Sequence, residues 1–262
     1  KKHTNAQREH RRQRVRSGAM TVGFVGYTNA GKSSLFQHLS GKTVLVEDQL
    51  FSTLETTVGR MEKSPRILLA DTIGFIDNIP NATLAAFKAT IAEAIDADLT
   101  LILVDTSDPL DEVRRKLETT RREVLERQEH EPEALEEGRP PQVVLTKIDA
   151  TTAEQQQAAS DLVVSHGFPT PVAVSSMTGE GVDELQRFIR EQLFGAPVQV
   201  HVHPPSAASP DATERIVSSV YDQGMVEVDE RSEQGSAVLK VWITAACQAQ
   251  LQSRWGARID IK

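Results

Sequence analysis

The chain of 262 residues carries 29 Lys or Arg against 37 Asp or Glu, a net charge of −8, with 39% hydrophobic residues and a single cysteine, Cys247. Such a length suits one medium domain plus a small one, and a lone cysteine excludes an internal disulfide framework. No apolar run approaches the roughly 20 residues of a membrane helix and no charged-then-apolar leader opens the chain, so a cytoplasmic protein without a membrane span is expected.

Charge is unevenly placed along the chain. Residues 1–18, "KKHTNAQREHRRQRVRSG", hold seven Lys or Arg against Glu9 alone, which makes this segment +6 and leaves −14 for the rest. A basic linker or tail on an acidic body suits contact with a polyanion at one place. "TVGFVGY" (21–27) then reads as a strand and "KSSLFQHLSG" (32–41) as a helix closed by Gly41. "TVGRM" (57–61) and "RILLADT" (66–72) read as two strands joined by a turn, hence an antiparallel pair. Leu84, Phe87, Ile91 and Ile95 share one face of "ATLAAFKATIAEAI", and the wholly apolar "LTLILVD" (99–105) predicts a strand buried on both faces. The helix after Pro109 is expected to turn Leu110, Val113, Leu117 and Val124 inward and to run into an acidic surface insertion, "EHEPEALEEG". Strand "PQVVLTKID", helix "TAEQQQAASDLVVSHG", strand "TPVAVSS" and helix "GVDELQRFIREQLFG" complete an alternation that predicts an α/β domain over 19–196 with a mainly parallel, helix-covered sheet. After Pro197 the rhythm changes to the half-buried strands "VQVHVHP", "MVEVDER" and "AVLKVWI" with helices at "ATERIVSSVYDQG" and "ACQAQLQSRWG", so 197–262 reads as a small α+β domain with Trp242 and Trp255 in its core. His201 and His203 share a strand face there, a spacing that ordinary polar strand positions explain without a metal.

The chemistry gathers at strand ends. Gly26, Tyr27, Thr28, Asn29, Ala30, Gly31, Lys32 and Ser33, followed by Ser34, match G-x-x-x-x-G-K-[ST] between a strand and a helix, the context a phosphate-binding loop needs. Its amides and the helix N-terminus can cradle phosphates, Lys32 can reach the β and γ oxygens, and Ser33 can ligate Mg²⁺. Asp71, Thr72, Ile73 and Gly74 follow a buried strand; the carboxylate suits Mg²⁺ and the Gly74 amide the γ-phosphate. In Thr146, Lys147, Ile148 and Asp149 the carboxylate can pair with the ring NH and amine of guanine while the lysine stem packs on the base, which argues against an ATPase. Ser175, Ser176 and Met177 offer backbone amides toward the guanine carbonyl. Between these lies "EDQLFSTLETT" (47–57), a candidate switch in which Thr53, Thr56 and Thr57 compete to meet the metal and the γ-phosphate.

In order and spacing these elements resemble a translation-factor-like GTPase. "VGYTNAGKSSLF", "EDQLFSTLETT", "LLADTIGFIDNIP" and "LAAFKATIAEA" are similar to the HflX family of ribosome-associated GTPases over about 40 to 200. That resemblance implies a P-loop GTPase fold, Mg²⁺ held by Ser33, Thr53 and Asp71, and catalytic contributions from Lys32, Thr53, Gly74 and Asn29. It places the first switch at Phe51, Ser52, Thr53, Leu54 and Glu55, with Thr53 the metal ligand. Asn29 resembles the potassium ligand of cation-dependent members, against the plainer reading that it stiffens the loop. Glu55, Thr56 and Thr146 depart from the family pattern, the last with a weaker brace expected. Phe75 stands where many GTPases carry a water-orienting Gln, so hydrolysis is expected to be slow until a partner such as ribosomal RNA completes the site. Members generally carry a further amino-terminal domain ending in a basic hairpin, and the first 18 residues resemble that hairpin's exit, so a piece of a longer protein is expected. The family implies GTP and GDP as ligands and the large ribosomal subunit and its RNA as partner, with ribosome dissociation or rescue as the work; a monomer is expected. The alternative is a GTP-gated binding module that recruits another RNA or protein.

Overall fold

The structure is a computed structural model that describes residues 19–41, 57–62, 67–71, 74, 91–92, 94–130, 139–203, 210–232 and 235–262. The basic segment 1–18, the switch segment 47–56 with Thr53, and Thr72, Ile73 and Phe75 lie outside them, as do Leu84 and Phe87. Among the described residues the chain divides into two compact units, the first holding 21–61 and 68–189 and the second 190–262 together with Ala19, Met20, Glu62 and Ile67.

The first unit is built on a six-stranded sheet in the order β2-β3-β1-β4-β5-β6. Its strands are β1 (Met20–Gly26), β2 (Thr57–Glu62), β3 (Ile67–Asp71), β4 (Leu99–Asp105), β5 (Gln142–Thr146) and β6 (Val172–Ala173). The pairs β1 with β4, β4 with β5 and β5 with β6 are parallel. Every residue of β4 is buried, as the uninterrupted apolar run demands of a strand covered on both faces. Helices α1 (Lys32–Ser40), α2 (Leu110–His130), α3 (Ala153–Ser165) and α4 (Val182–Phe194) alternate with these strands. Val113, Leu117 and Val124 of α2 and Ala159, Leu162 and Val163 of α3 pack with Ile102, Val104, Val143 and Leu145 in one core cluster. Each fully buried aliphatic side chain there contributes roughly 1.5 to 3 kcal/mol. Leu110 departs from the expected inward stripe and is 44% exposed, because it is the first residue of α2 and precedes the turn that meets the sheet. Thr152 starts α3 with a reciprocal cap, accepting from the Gln155 N–H at 3.4 Å while Gln155 Oε1 accepts from the Thr152 N–H at 2.9 Å.

β1 has β3 on one side and β4 on the other, so the chain reverses its direction of travel across the sheet at β1. Ligands of open α/β sheets sit outside the carboxyl ends of strands at such a point. The carboxyl ends of β1, β3, β4 and β5 carry Gly26, Asp71, Asp105 and Thr146.

The second unit holds a four-stranded sheet in the order β10-β7-β9-β8, in which each neighbouring pair is antiparallel. Its strands are β7 (Val198–Val202), β8 (Met225–Arg231), β9 (Ala237–Trp242) and β10 (Ile259–Ile261), with helices α5 (Pro210–Gln223) and α6 (Ala245–Trp255). Val200, Val202, Leu239 and Val241 pack with Ile216, Val217, Val220 and Leu251, and Trp255 lies against this cluster as expected. Trp242 is buried, its indole N–H donating to Glu227 Oε1 at 2.5 Å. His203 Nε2 lies 2.8 Å from Asp260 Oδ2, and among the described residues no group of three His, Cys, Asp or Glu side chains could hold a metal ion.

Candidate nucleotide-binding site

The loop between β1 and α1 owes its shape to three residues in left-handed backbone: Gly26 (φ 153), Asn29 (φ 66) and Gly31 (φ 84). At Gly26 a Cβ would stand 2.6 Å from the Leu103 carbonyl of the neighbouring strand, so no other residue fits without moving the sheet. Asn29 is exposed and occupies the turn that the Ala30 N–H closes on the Tyr27 carbonyl at 3.2 Å. Asn tolerates this conformation better than most side chains, which gives Asn29 a backbone role before any ion is considered.

Lys32 is only 6% exposed and bends back over the loop, donating to the Tyr27 carbonyl at 2.7 Å and the Gly26 carbonyl at 3.2 Å. Burial pushes its ammonium down to about 8, and the Asp71 carboxylate opposes that shift. Asp71 therefore acts on the same small volume as Lys32, whose chain neighbour Ser33 leaves its side chain exposed in the first turn of α1. Gly74 closes the other side. A Cβ on it would lie 2.1 Å from Lys32 Nζ and 2.8 Å from both the Gly26 carbonyl and the Thr28 amide nitrogen. Gly74 is thus pressed against the phosphate loop at the ammonium itself. One hydroxyl and one carboxylate there suit a Mg²⁺ that keeps water and phosphate oxygens as its other ligands. Thr57, one of the three competing threonines, lies in β2.

The other end of the site is a set of linked side chains. Thr146, 2% exposed, donates its hydroxyl to the Ala30 carbonyl at 2.9 Å, with the Val104 carbonyl a second acceptor at 3.2 Å. Thr146 thus makes a direct brace between β5 and the phosphate loop. Thr106 anchors the same turn, its hydroxyl and amide both donating to the Thr146 carbonyl, at 2.7 and 3.1 Å. Lys147 then takes a left-handed conformation (φ 59, ψ 35) that turns the chain off β5 into the single 3₁₀ turn Ile148–Ala150. Asn29 and Lys147 are the non-glycine residues with positive φ among the described residues, and both belong to this site.

Asp149, an exposed residue, accepts the hydroxyl of Ser175 at 2.5 Å through Oδ1. Ser175 is fully buried, and its Oγ in turn accepts from the Met177 and Thr178 amides at 3.2 and 3.1 Å. Its own N–H donates to the Glu180 carbonyl at 2.9 Å. Of the three amides expected to face a base carbonyl, those of Ser175 and Met177 are thereby engaged, and the Ser176 N–H remains. Ser175 instead fixes the carboxylate. Sequence reasoning also passed over Asp105, whose Oδ2 accepts from Lys147 Nζ at 2.5 Å; an acidic residue ending a buried strand beside the T-K-x-D turn was the available signal.

Comparison with known proteins gives this geometry its kin. The family of 50S ribosome-binding GTPases matches residues 21–147, and the HflX C-terminal domain matches 163–261. The chain belongs to the HflX family. It is 35% identical over 253 residues to a protein named GTPase HflX from Akkermansia muciniphila, covering 93% of this chain and 53% of that one. With GTPase HflX from Escherichia coli K12 it is 34% identical over 257 residues, 97% of this chain and 56% of that one. The chain thus spans about half the length of the curated HflX relatives it matches. Among solved structures, a complex of SsGBP with GDP is 26% identical with a TM-score of 0.50, covering 66% of this chain and 49% of that one. The P-loop GTPase fold and the small antiparallel unit that follows it are those expected of an HflX member. No described helix is long and apolar enough to cross a membrane.

Proposed function

We propose that this chain binds and hydrolyses GTP as a switch whose triphosphate state engages the large ribosomal subunit. The observation that carries the guanine reading is the Asp149 carboxylate, pinned by Ser175 at 2.5 Å on the turn that Thr146 braces to the phosphate loop. Such a fixed acceptor suits the paired donors on the guanine edge, which adenine lacks. The solved relative that carries GDP supports the same nucleotide, and the description "50S ribosome-binding GTPase" of the matching family supports the partner.

In this reading residues 19–196 form the GTPase domain and 197–262 the small domain, of a monomer working in the cytoplasm. The amides of the loop from Gly26 to Ser34 hold the α and β phosphates. Lys32 leaves the Gly26 and Tyr27 carbonyls for the β and γ oxygens, and Gly74, already against its ammonium, offers its amide to the γ-phosphate. Ser33 and Asp71, with Thr53, would hold Mg²⁺, which when bound would neutralise developing charge on the phosphates. Asn29 would hold a potassium ion, which would supply the positive charge that an arginine finger supplies elsewhere. Phe75 cannot orient water, so turnover by the chain alone is slow and ribosomal RNA completes the site; release after hydrolysis lets ribosomes dissociate or be rescued.

The test is phosphate release from GTP with and without purified ribosomes, beside co-sedimentation with large subunits in a non-hydrolysable GTP analogue. Turnover rising at least about tenfold with ribosomes is expected, a factor worth about 1.4 kcal/mol of transition-state stabilisation. Binding of GDP without pelleting at low salt would point instead to a GTP-gated module with another partner.

A further inference from the structure

We infer that Asp105 is a positioning residue of the guanine site, holding the Lys147 side chain in place for the base; the inference rests on the guanine reading above. Asp105 ends β4 directly opposite Thr146 in the parallel register, one residue away from the lysine it serves. Its side chain is 9% exposed against 38% for Lys147, so a carboxylate largely withdrawn from water faces an ammonium that is not. Both carboxylate oxygens are used. Oδ2 accepts from Lys147 Nζ at 2.5 Å, and Oδ1 accepts from the Ser107 N–H at 2.9 Å and the Ser107 hydroxyl at 2.6 Å.

The physical consequence concerns order rather than charge on the ligand. A lysine stem that must lie along a flat base loses rotamer freedom when it does so, and it must also hold a left-handed backbone that a non-glycine residue disfavours. An ammonium already fixed by a braced, nearly buried carboxylate has lost that freedom before the nucleotide arrives. Ser107 plays a supporting part, since its two bonds orient the Asp105 carboxylate and leave Oδ2 toward the lysine. The contrary reading is that Asp105 and Ser107 merely cap the end of a strand, with the lysine contact incidental.

Release of fluorescent N-methylanthraniloyl-GDP, followed by stopped flow, separates the two. Four forms of the chain are compared: unmodified, Asp105→Asn, Lys147→Met and the double variant. Asn keeps an acceptor for Ser107 and removes the charge; Met keeps an apolar stem and removes the tether. Asp105→Asn is expected to speed release about fivefold in the unmodified background, as befits a half-exposed ion pair, and to have no further effect beside Lys147→Met. Ser107→Ala is expected to change release in the same direction by a smaller factor, again only where Lys147 is present. Equal acceleration in both backgrounds, or none in either, overturns the inference while leaving the guanine site intact. Failure of the unmodified chain to bind the labelled GDP would remove the guanine site itself and this inference with it. If Asp105→Asn does not fold, the Ser107→Ala pair in the two backgrounds decides alone.

Discussion

The two ends of the nucleotide site are prepared differently. At the base end Asp149, Ser175, Thr146, Lys147 and Asp105 are tied to one another by bonds of 2.5 to 2.9 Å or directly to the loop. At the phosphate end Lys32 is spent on the carbonyls of its own loop, with its ammonium pushed down to about 8 by burial. On the proposed reading the base end is already fixed for its ligand, whereas Lys32 must exchange its internal bonds for phosphate oxygens. The proposed function would thus be preorganised at the base and conditional at the phosphates.

The sharpest way to break this contrast is Asp149→Asn. A site built around paired hydrogen bonds rejects a ligand that leaves them unpaired, so GDP affinity is expected to fall on the order of a thousandfold while xanthosine diphosphate gains, as titration calorimetry with both nucleotides would read. Unchanged preference for guanine would mean that Asp149 does not read the base. Next comes Gly74→Ala. Its methyl would meet the ammonium at 2.1 Å and two backbone atoms at 2.8 Å, so GTP turnover is expected to drop at least about tenfold, with GDP affinity changed less. Equal loss for both would place Gly74 in general binding.

The Lys32 shift gives a pH test of the phosphate end. Its pKa falls from 10.5 to about 8 in the nucleotide-free protein, so above that pH the folded chain has released a proton that the unfolded chain keeps until about 10.5. Nucleotide-free stability should therefore rise between these limits, whereas GDP affinity should fall by up to about tenfold per pH unit as binding has to return the proton. Calorimetry at pH 7 and 9 in buffers of different ionisation enthalpy reads the uptake directly. No uptake at pH 9 would show that the ammonium stays charged in the empty loop. The smallest effect belongs to Asn29. Asn29→Gly keeps the positive φ and Asn29→Ala does not, so a purely conformational role predicts weaker GDP binding in the alanine variant alone, by about 1 kcal/mol. A potassium role predicts that both variants lose any stimulation of phosphate release by KCl over NaCl.

Much of this architecture was legible in the order of apolar runs. The uniform β4, the strand-loop-helix around Lys32 and the change of rhythm after Pro197 each follow from burial on two faces, a helix start and burial on one face. Less legible were contacts that join residues far apart. Thr146 reaches Ala30 across 116 positions and Lys147 reaches Asp105 across 42, distances at which a single sequence carries no pairing signal. The bonds that engage the Ser175 and Met177 amides inside their own loop are likewise ones that residue types alone do not announce. β10 escaped notice because three residues, Ile259–Ile261, show too little alternation to register; it exists through its pairing with Val200–Val202.

The Thr146 hydroxyl, finally, turns the site into a ruler. Asp149 stands three residues from Thr146, and Thr146 is fixed to Ala30 in the middle of the phosphate loop, so the span from the base acceptor to the loop amides is set by covalent bonds and one hydrogen bond. On the proposed reading a ligand would be measured along its length as well as read at its edge. Guanosine and pyrophosphate each touch one mark on that ruler, and only a nucleotide that bridges both collects the two contacts without losing its translational freedom twice.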